Sequence, residues 1–416
     1  MSAPTKVTFP SFMLQISGEL YAPAAGAPNR KGAAVVISHP MTGVKEQTSA
    51  NHARLLSKAG FYALTFDAGY QGESTGQPRG LEDPHQRAED NKVAVTYLAT
   101  LEGKVDPSRI GVLGICASGG YTSYAAQSDS RIKALATVSA ACVGRMTRNG
   151  GLYKENNKEV PEAIAGALQA AGQWRTSAAK GPKVEAPPMF STDISQIPEG
   201  ADSFFADAAS YYGSERGNHP RSDQKVPPSS YDLMVSYDSF NFQHLVSARP
   251  LLMIAGSKAQ TLHFSEDAVA AAREPKELFV VEGKNHFDLY DDLTVSGPKL
   301  VEFFGKNLSR VVLRSGSSCE GIGRIGSGRC PRTMAIWGDE VEPDFSFSVA
   351  FCAAGQSLYF RGVQPPSLFS EGRQPSQQQQ AHLQYQLVSQ PPRLAAQAAS
   401  GFSFVRPDGN MFYFSN

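Results

Sequence analysis

Six short apolar runs, spaced by helical patterns, constrain this chain more than any other feature. They are AAVVIS (33–38), FYALTF (61–66), RIGVLGI (109–115), KALATVS (133–139), LLMIAG (251–256) and ELFVVEG (277–283). Each run is continuous rather than alternating, which suits a strand buried on both faces. A helix is expected from Thr48 to Lys58, closed by Gly60, because glycine accepts the left-handed backbone of a helix stop. Asp83-Pro84 predicts a second start, since Asp can cap and Pro suits the first helical position. Ala88, Val93, Ala94, Tyr97 and Leu98 carry that helix to about Leu101. Residues 6–21 alternate and read as an opening hairpin. Strands alternating with helices predict the α/β class: a mainly parallel sheet with helices on both faces.

Two segments break the rhythm. Residues 143–245 lack core strands but are rich in aromatics, from Tyr153 and Trp174 through Phe190, Phe204, Phe205, Tyr211 and Tyr212 to Phe240 and Phe242. An insertion of that length between two core strands is expected to form a helical cap. Its rings can pack the cap onto the body, line a substrate pocket, or do both. The second break follows VEFFGKNL (301–308). Residues 310–416 hold Gly/Ser-rich sequence, then QPSQQQQ (374–380), with no period. That composition predicts a low-complexity, disordered tail. A retained intron or a shifted reading frame would produce the same pattern. The expected organisation is one catalytic domain over 1–309 and a tail that is foreign to it.

Lys+Arg and Asp+Glu balance at 39 each, which gives no electrostatic case for nucleic acid or an anionic membrane. The opening MSAPTKVTFP lacks the apolar core of a signal peptide, and no apolar run approaches a membrane span, so a cytoplasmic location is expected. The cysteines, Cys116, Cys142, Cys319, Cys330 and Cys352, are odd in number and irregular in spacing, which argues against a disulfide framework. Cys319 and Cys330 have no zinc-site neighbours, and neither a metal nor a cofactor is expected.

The chemistry concentrates in GICASGGY (114–121), which leaves one apolar run and enters a helical pattern. A nucleophile at the tip of a strand–turn–helix needs small neighbours, because the turn is strained and its backbones crowd. Gly114 precedes Cys116 by two, and Ser118 and Gly119 follow it. A register with Ser118 as nucleophile would push the reactive atom into the helix, so Cys116 is the expected nucleophile. A helix N-terminus and a nearby imidazole both favour the thiolate. The Ala117 N–H is one expected oxyanion donor. Met41, in the loop after the first buried strand, is the other, since Pro40 has no N–H. His39 is expected to shape that loop.

The base should follow the last strand, and ELFVVEGKNHFDLY (277–290) places His286 there. His263, after LLMIAG, is its rival. An acid is expected after residue 256, but the position holds Gln260. A thiolate–imidazolium pair depends less on a carboxylate, so Gln260 could orient His286 through its carbonyl oxygen. Glu266 or Asp267 could substitute, or could be charges in the first turn of a helix.

SHPMTGVKEQT (38–48), TFDAGYQGESTG (65–76), GLEDPHQRAEDNKVAVTYL (80–98), RIGVLGICASGGY (109–121) and RPLLMIAG (249–256) together resemble the fungal polyketide transferase/thiohydrolase family. That family sits near the dienelactone-hydrolase-like branch of the α/β hydrolases. The resemblance covers residues 6–308 and implies the α/β-hydrolase fold. It implies an enzyme that releases a polyketide acyl chain from an acyl carrier protein, to water or to an alcohol, in secondary metabolism. Gln260 departs from the family's acid, and nothing in the family resembles residues 310–416. Two other functions stand beside this one: hydrolysis of esters or lactones, and a weakened, hydrolase-fold binding protein.

Overall fold

A computed structural model describes residues 3–152, 158–181, 185–197, 199–200, 203–308, 401–405 and 411–415. The chain divides into two compact units, Met1–Ser315 and Gly316–Asn416.

The first unit is built on an eight-stranded sheet. Its strands are β1 (Thr5–Ser11), β2 (Leu14–Tyr21), β3 (Ala34–Ser38), β4 (Tyr62–Asp67), β5 (Ile110–Ile115), β6 (Ile132–Val138), β7 (Leu251–Gly256) and β8 (Lys276–Val281), in the order β1-β2-β4-β3-β5-β6-β7-β8. The opening hairpin is antiparallel and β2 joins β4 antiparallel; β4 to β8 are all parallel. Every residue of β3, β5 and β7 is buried, because helices cover both faces of the central strands. Edge strand β8 is buried only at Val281.

The helices flanking the sheet are α1 (Thr48–Lys58), α2 (Pro84–Ala99), α3 (Ser118–Ser128), α8 (Leu262–Ala271) and α9 (Ser296–Asn307). Gly60 has φ 93°, the left-handed stop expected after α1. Asp83 caps α2 by accepting from the His85 and Gln86 N–H groups at 2.9 and 3.2 Å. Between β6 and β7 lies the expected cap, made of α4 (Val143–Asn149), α5 (Pro161–Lys180), α6 (Ser203–Tyr212) and α7 (Ser229–Val235). Among the described residues no helix is long and apolar enough to cross a membrane.

In the second unit the described residues form a two-stranded antiparallel ribbon, β9 (Gly401–Val405) with β10 (Met411–Ser415). The remainder of the expected disordered tail lies outside the described residues.

Candidate active site

Parallel strands end at one edge of the sheet, and ligands of open α/β sheets bind at that carboxyl edge. The register brings Ser38 of β3 opposite Gly114 of β5, and Ile115 opposite Val138 of β6. Three loops therefore leave the sheet side by side. Cys116 occupies the tip of the middle one, with φ 59°. A side chain in the left-handed region is strained and persists only where its surroundings hold it. Here the Cys116 N–H donates to the Val138 carbonyl at 3.0 Å, and its own carbonyl accepts from Ala141 N–H at 3.0 Å. The turn also needs a bare Gly114: a Cβ there would stand 2.1 Å from the Ser118 carbonyl oxygen. The Cys116 side chain remains partly exposed. Burial pushes its thiol pKa up, while the Tyr290 hydroxyl and the Ala117 N–H pull it back.

His286 leaves the loop after β8 and is fully buried. Ser139, at the end of β6, donates to the His286 carbonyl at 2.9 Å and fixes its backbone. The ring has two polar partners: Nδ1 lies 2.6 Å from Thr261 Oγ1 and Nε2 lies 3.0 Å from Tyr290 Oη. Tyr290 lines the same cavity as Cys116, and its hydroxyl acts on the Cys116 thiol. Burial alone pushes the His286 pKa down to about 3, so the imidazole is neutral at pH 7.

Behind the turn lies a buried polar frame. Arg87 Nη2 donates to the His39 carbonyl at 2.6 Å and to Ser118 Oγ at 2.9 Å, and Arg87 Nε pairs with Glu82 at 3.2 Å. His39 Nε2 accepts the Ala68 N–H at 3.0 Å, which leaves Nδ1 to donate to the Pro40 carbonyl at 2.7 Å. Burial, then Arg87, push the His39 pKa well down, in keeping with that neutral tautomer. His39 thus shapes the loop that carries Met41. A second cluster pins the next stretch of this loop. Lys45 Nζ meets Asp67 at 2.7 Å, Glu73 at 2.7 Å and Glu46 at 2.9 Å. Burial disfavours its ammonium, but Asp67 first, then Glu73 and Glu46, outweigh that and push its pKa up. By distance those three carboxylates could hold a metal ion; the Lys45 ammonium already supplies the cation.

In front of Cys116 the surroundings are apolar. Met41, Ala117, Val143, Met146, Leu152, Met189, Phe190, Phe204, Tyr212 and Phe287 surround a cavity of about 20 Å³ that also touches Cys116, Thr261, His286 and Tyr290. That is room for about one water. Phe204 stands edge-on to the His286 ring at 5.2 Å, and Phe190 stacks on Tyr212 at 6.2 Å. A larger depression of about 580 Å³, lined by residues such as Arg30, Lys104 and Asp106, contains none of the Cys116 or His286 machinery.

The dienelactone hydrolase family model matches residues 20–143, a stretch that includes the Met41 loop and the Cys116 turn. The Escherichia coli K12 protein YcjY is 37% identical over 67% of this chain and 89% of its own length. The crystal structure of PA2218 from Pseudomonas aeruginosa is 34% identical, with a TM-score of 0.67 over 73% of this chain and 93% of that one. This chain belongs to the dienelactone-hydrolase-like α/β hydrolases. A thiohydrolase of Aspergillus aculeatus, aneE, is a more distant relative at 27% identity over 66% of this chain and 84% of its own length. Fold and family are those of a hydrolase-type enzyme; the narrower fungal resemblance is carried by the more distant relative, while YcjY and PA2218 are bacterial.

This dienelactone-hydrolase-like site gathers Met41, Cys116, Ala117 and His286 around one cavity. Gln260 is placed differently from the expectation. Its Nε2 donates to Ser203 Oγ at 2.7 Å, and the neighbour of His286 Nδ1 is Thr261. Asp267 pairs with Arg145 at 3.2 Å, and Glu266 is its neighbour on α8. His263 turns its Nε2 to the Leu152 carbonyl at 2.6 Å. Ser118 Oγ is engaged by Ser38 at 2.9 Å and by Arg87 within the polar frame. Cys142 is buried, and Cys319, Cys330, Cys352 and Tyr153 lie outside the described residues. Sequence reasoning missed Thr261 and Tyr290. A signal existed for Tyr290: it follows His286 by four, a spacing at which one helical turn places both side chains together.

Proposed function

We propose that this chain hydrolyses carboxylic esters or lactones with an apolar acyl part, through an acyl-enzyme on Cys116. The observation that carries this reading is the strained Cys116 turn, set beside a buried neutral His286 in an apolar cavity. The sulfur attacks the acyl carbon and its proton passes to His286. The Ala117 N–H, and Met41 in the facing loop, would receive the developing oxyanion. His286 returns the proton to the leaving alkoxide, and water then attacks the acyl-enzyme with the imidazole as base. A neutral imidazole is the protonation state that this cycle needs at its start. With room for about one water, the closed cavity cannot hold an acyl chain, so the cap must part to admit one.

A second reading, hydrolysis or transfer of an acyl thioester such as a polyketide chain on a carrier protein, is favoured by the likeness to the thiohydrolase aneE and by thiolate–thioester exchange. One experiment covers both readings. Wild type and Cys116→Ala are mixed with a medium-chain p-nitrophenyl ester, a lactone and an acyl thioester, and intact mass and product are followed. Wild type should gain one acyl group, and Cys116→Ala should lose both the adduct and at least ~10³-fold in turnover. The substrate with the highest kcat/KM separates ester or lactone from thioester. Acylation of Cys116→Ala would overturn the assignment. No turnover of any substrate by wild type would favour a binding protein.

A further inference from the structure

We propose that Tyr290 is a catalytic residue, whose hydroxyl carries the Cys116 proton to His286. The proposal rests on the reading of Cys116 as nucleophile. In a direct pair the imidazole would face the thiol. Here His286 Nε2 faces Tyr290 Oη at 3.0 Å, and Tyr290 lines the same small cavity as Cys116, whose thiol its hydroxyl acts on. Tyr290 is not a gate that could swing aside. It is fully buried, its ring is held edge-on by Tyr211 at 5.0 Å and packed on Phe287 at 5.2 Å, and its carbonyl accepts from Thr48 Oγ1 at 2.8 Å.

A hydroxyl between the two groups supports two proton arrangements. In the neutral one, Cys116 S–H donates to Tyr290 Oη and Tyr290 O–H donates to His286 Nε2. Moving both protons one step gives a thiolate that accepts from Tyr290 and an imidazolium that donates to it. Tyrosine ends as it began, so no phenolate accumulates in a site where burial disfavours one. The sulfur–acyl bond then forms. As the bond to the leaving alkoxide or thiolate breaks, that group takes the Tyr290 hydroxyl proton, and Tyr290 recovers one from the imidazolium, so the relay runs in reverse. The rest of the site makes such a bridge useful. His286 Nδ1 faces the uncharged Thr261 hydroxyl, so among the described residues the imidazolium has no carboxylate at that nitrogen to serve as the usual counter-charge. A donor that stays bonded to the thiolate lowers the energy of the separated charges. The other titratable groups acting on this pair are Glu82 and Arg87 from the frame and Tyr211 and Tyr212 from the cap.

The test compares Tyr290→Phe, Cys116→Ala and wild type. Single-turnover acylation by a p-nitrophenyl ester is read together with the pH profile of iodoacetamide alkylation at Cys116. Tyr290→Phe should fold, acylate about a hundredfold more slowly, and move the alkylation midpoint to higher pH. Acylation within about threefold of wild type with an unmoved midpoint would overturn the relay, and leave Cys116 standing if Cys116→Ala is inactive. Full turnover by Cys116→Ala would overturn the underlying reading and the relay with it. If Tyr290→Phe does not fold, 3,5-difluorotyrosine at position 290 keeps the shape with a more acidic hydroxyl. Its alkylation midpoint should move to lower pH, and an unmoved midpoint would overturn the proposal.

Discussion

Cys116 stands between two buried regions of opposite character. Behind it, Arg87, Glu82, His39, Ser118 and the Lys45–Asp67 pair form a polar frame of specific hydrogen bonds. In front, the chamber walls are Met, Leu, Val and Phe, with polar atoms confined to the reacting end. The frame holds loops whose backbone N–H groups must stay in one place, and charge-assisted hydrogen bonds supply that geometry. In the proposed reaction the chamber would meet an acyl chain, where non-directional apolar contact suffices and methionine adapts its shape. Fixed backbone on one side and adaptable surface on the other is the division of labour that the proposed role of the strained Cys116 turn calls for.

Removing a charge from the frame should give the largest effect on folding. Lys45→Met leaves Asp67 buried and without its cation, and breaking a buried pair from one side costs about 3–5 kcal/mol. Urea unfolding would measure this. An unchanged midpoint would mean that the frame is not what holds the loop.

The pH dependence of His286 sharpens the contrast from the chamber side. Its folded pKa of about 3 lies below the ordinary 6.5. The unfolded chain therefore takes up a proton below pH 6.5 that the folded chain refuses. The stability His286 contributes is complete above 6.5 and is lost as pH falls toward 3. Each pH unit in that window amounts to ~1.4 kcal/mol, so the stability of wild type relative to His286→Leu should fall by ~2 kcal/mol between pH 6.5 and 5. Urea melts at the two pH values check it. A constant difference would mean that the folded ring takes up its proton at the ordinary pKa.

The smallest stability effect is expected in the chamber wall. Met146 is only partly buried, and Met146→Ala should cost about 1 kcal/mol, below the range for a fully buried methionine. Its signature should be in specificity instead: kcat/KM for bulkier acyl groups should rise relative to acetyl. A uniform loss across chain lengths would show that Met146 belongs to the scaffold, not to the acyl site.

Much of this arrangement was legible in the sequence. The β3 to β7 runs are continuous because their strands are covered on both faces; the β8 run is as continuous, yet as an edge strand it is buried only at Val281. Cys116 could be placed because a strand, small residues and a helix allow few turns. The third position beside His286 was not legible in the same way. Gln260 and Thr261 are neighbours, and which one faces the ring depends on how the loop after β7 closes against the loop after β8. The pairing of Lys45 with Asp67 and Glu73 likewise joins residues from separate loops.

By itself, then, the sequence determined the order of strands and helices, the strained cysteine turn, and the loop that carries the histidine. These follow from local periodicity and backbone sterics, which act over a few residues. Only the tertiary structure decided that Thr261 and Tyr290 flank the imidazole, that Ser118 turns away into the frame, and that cap aromatics close over the cavity. A buried polar atom takes whichever partner folding brings within about 3 Å, and that partner is usually distant in the chain.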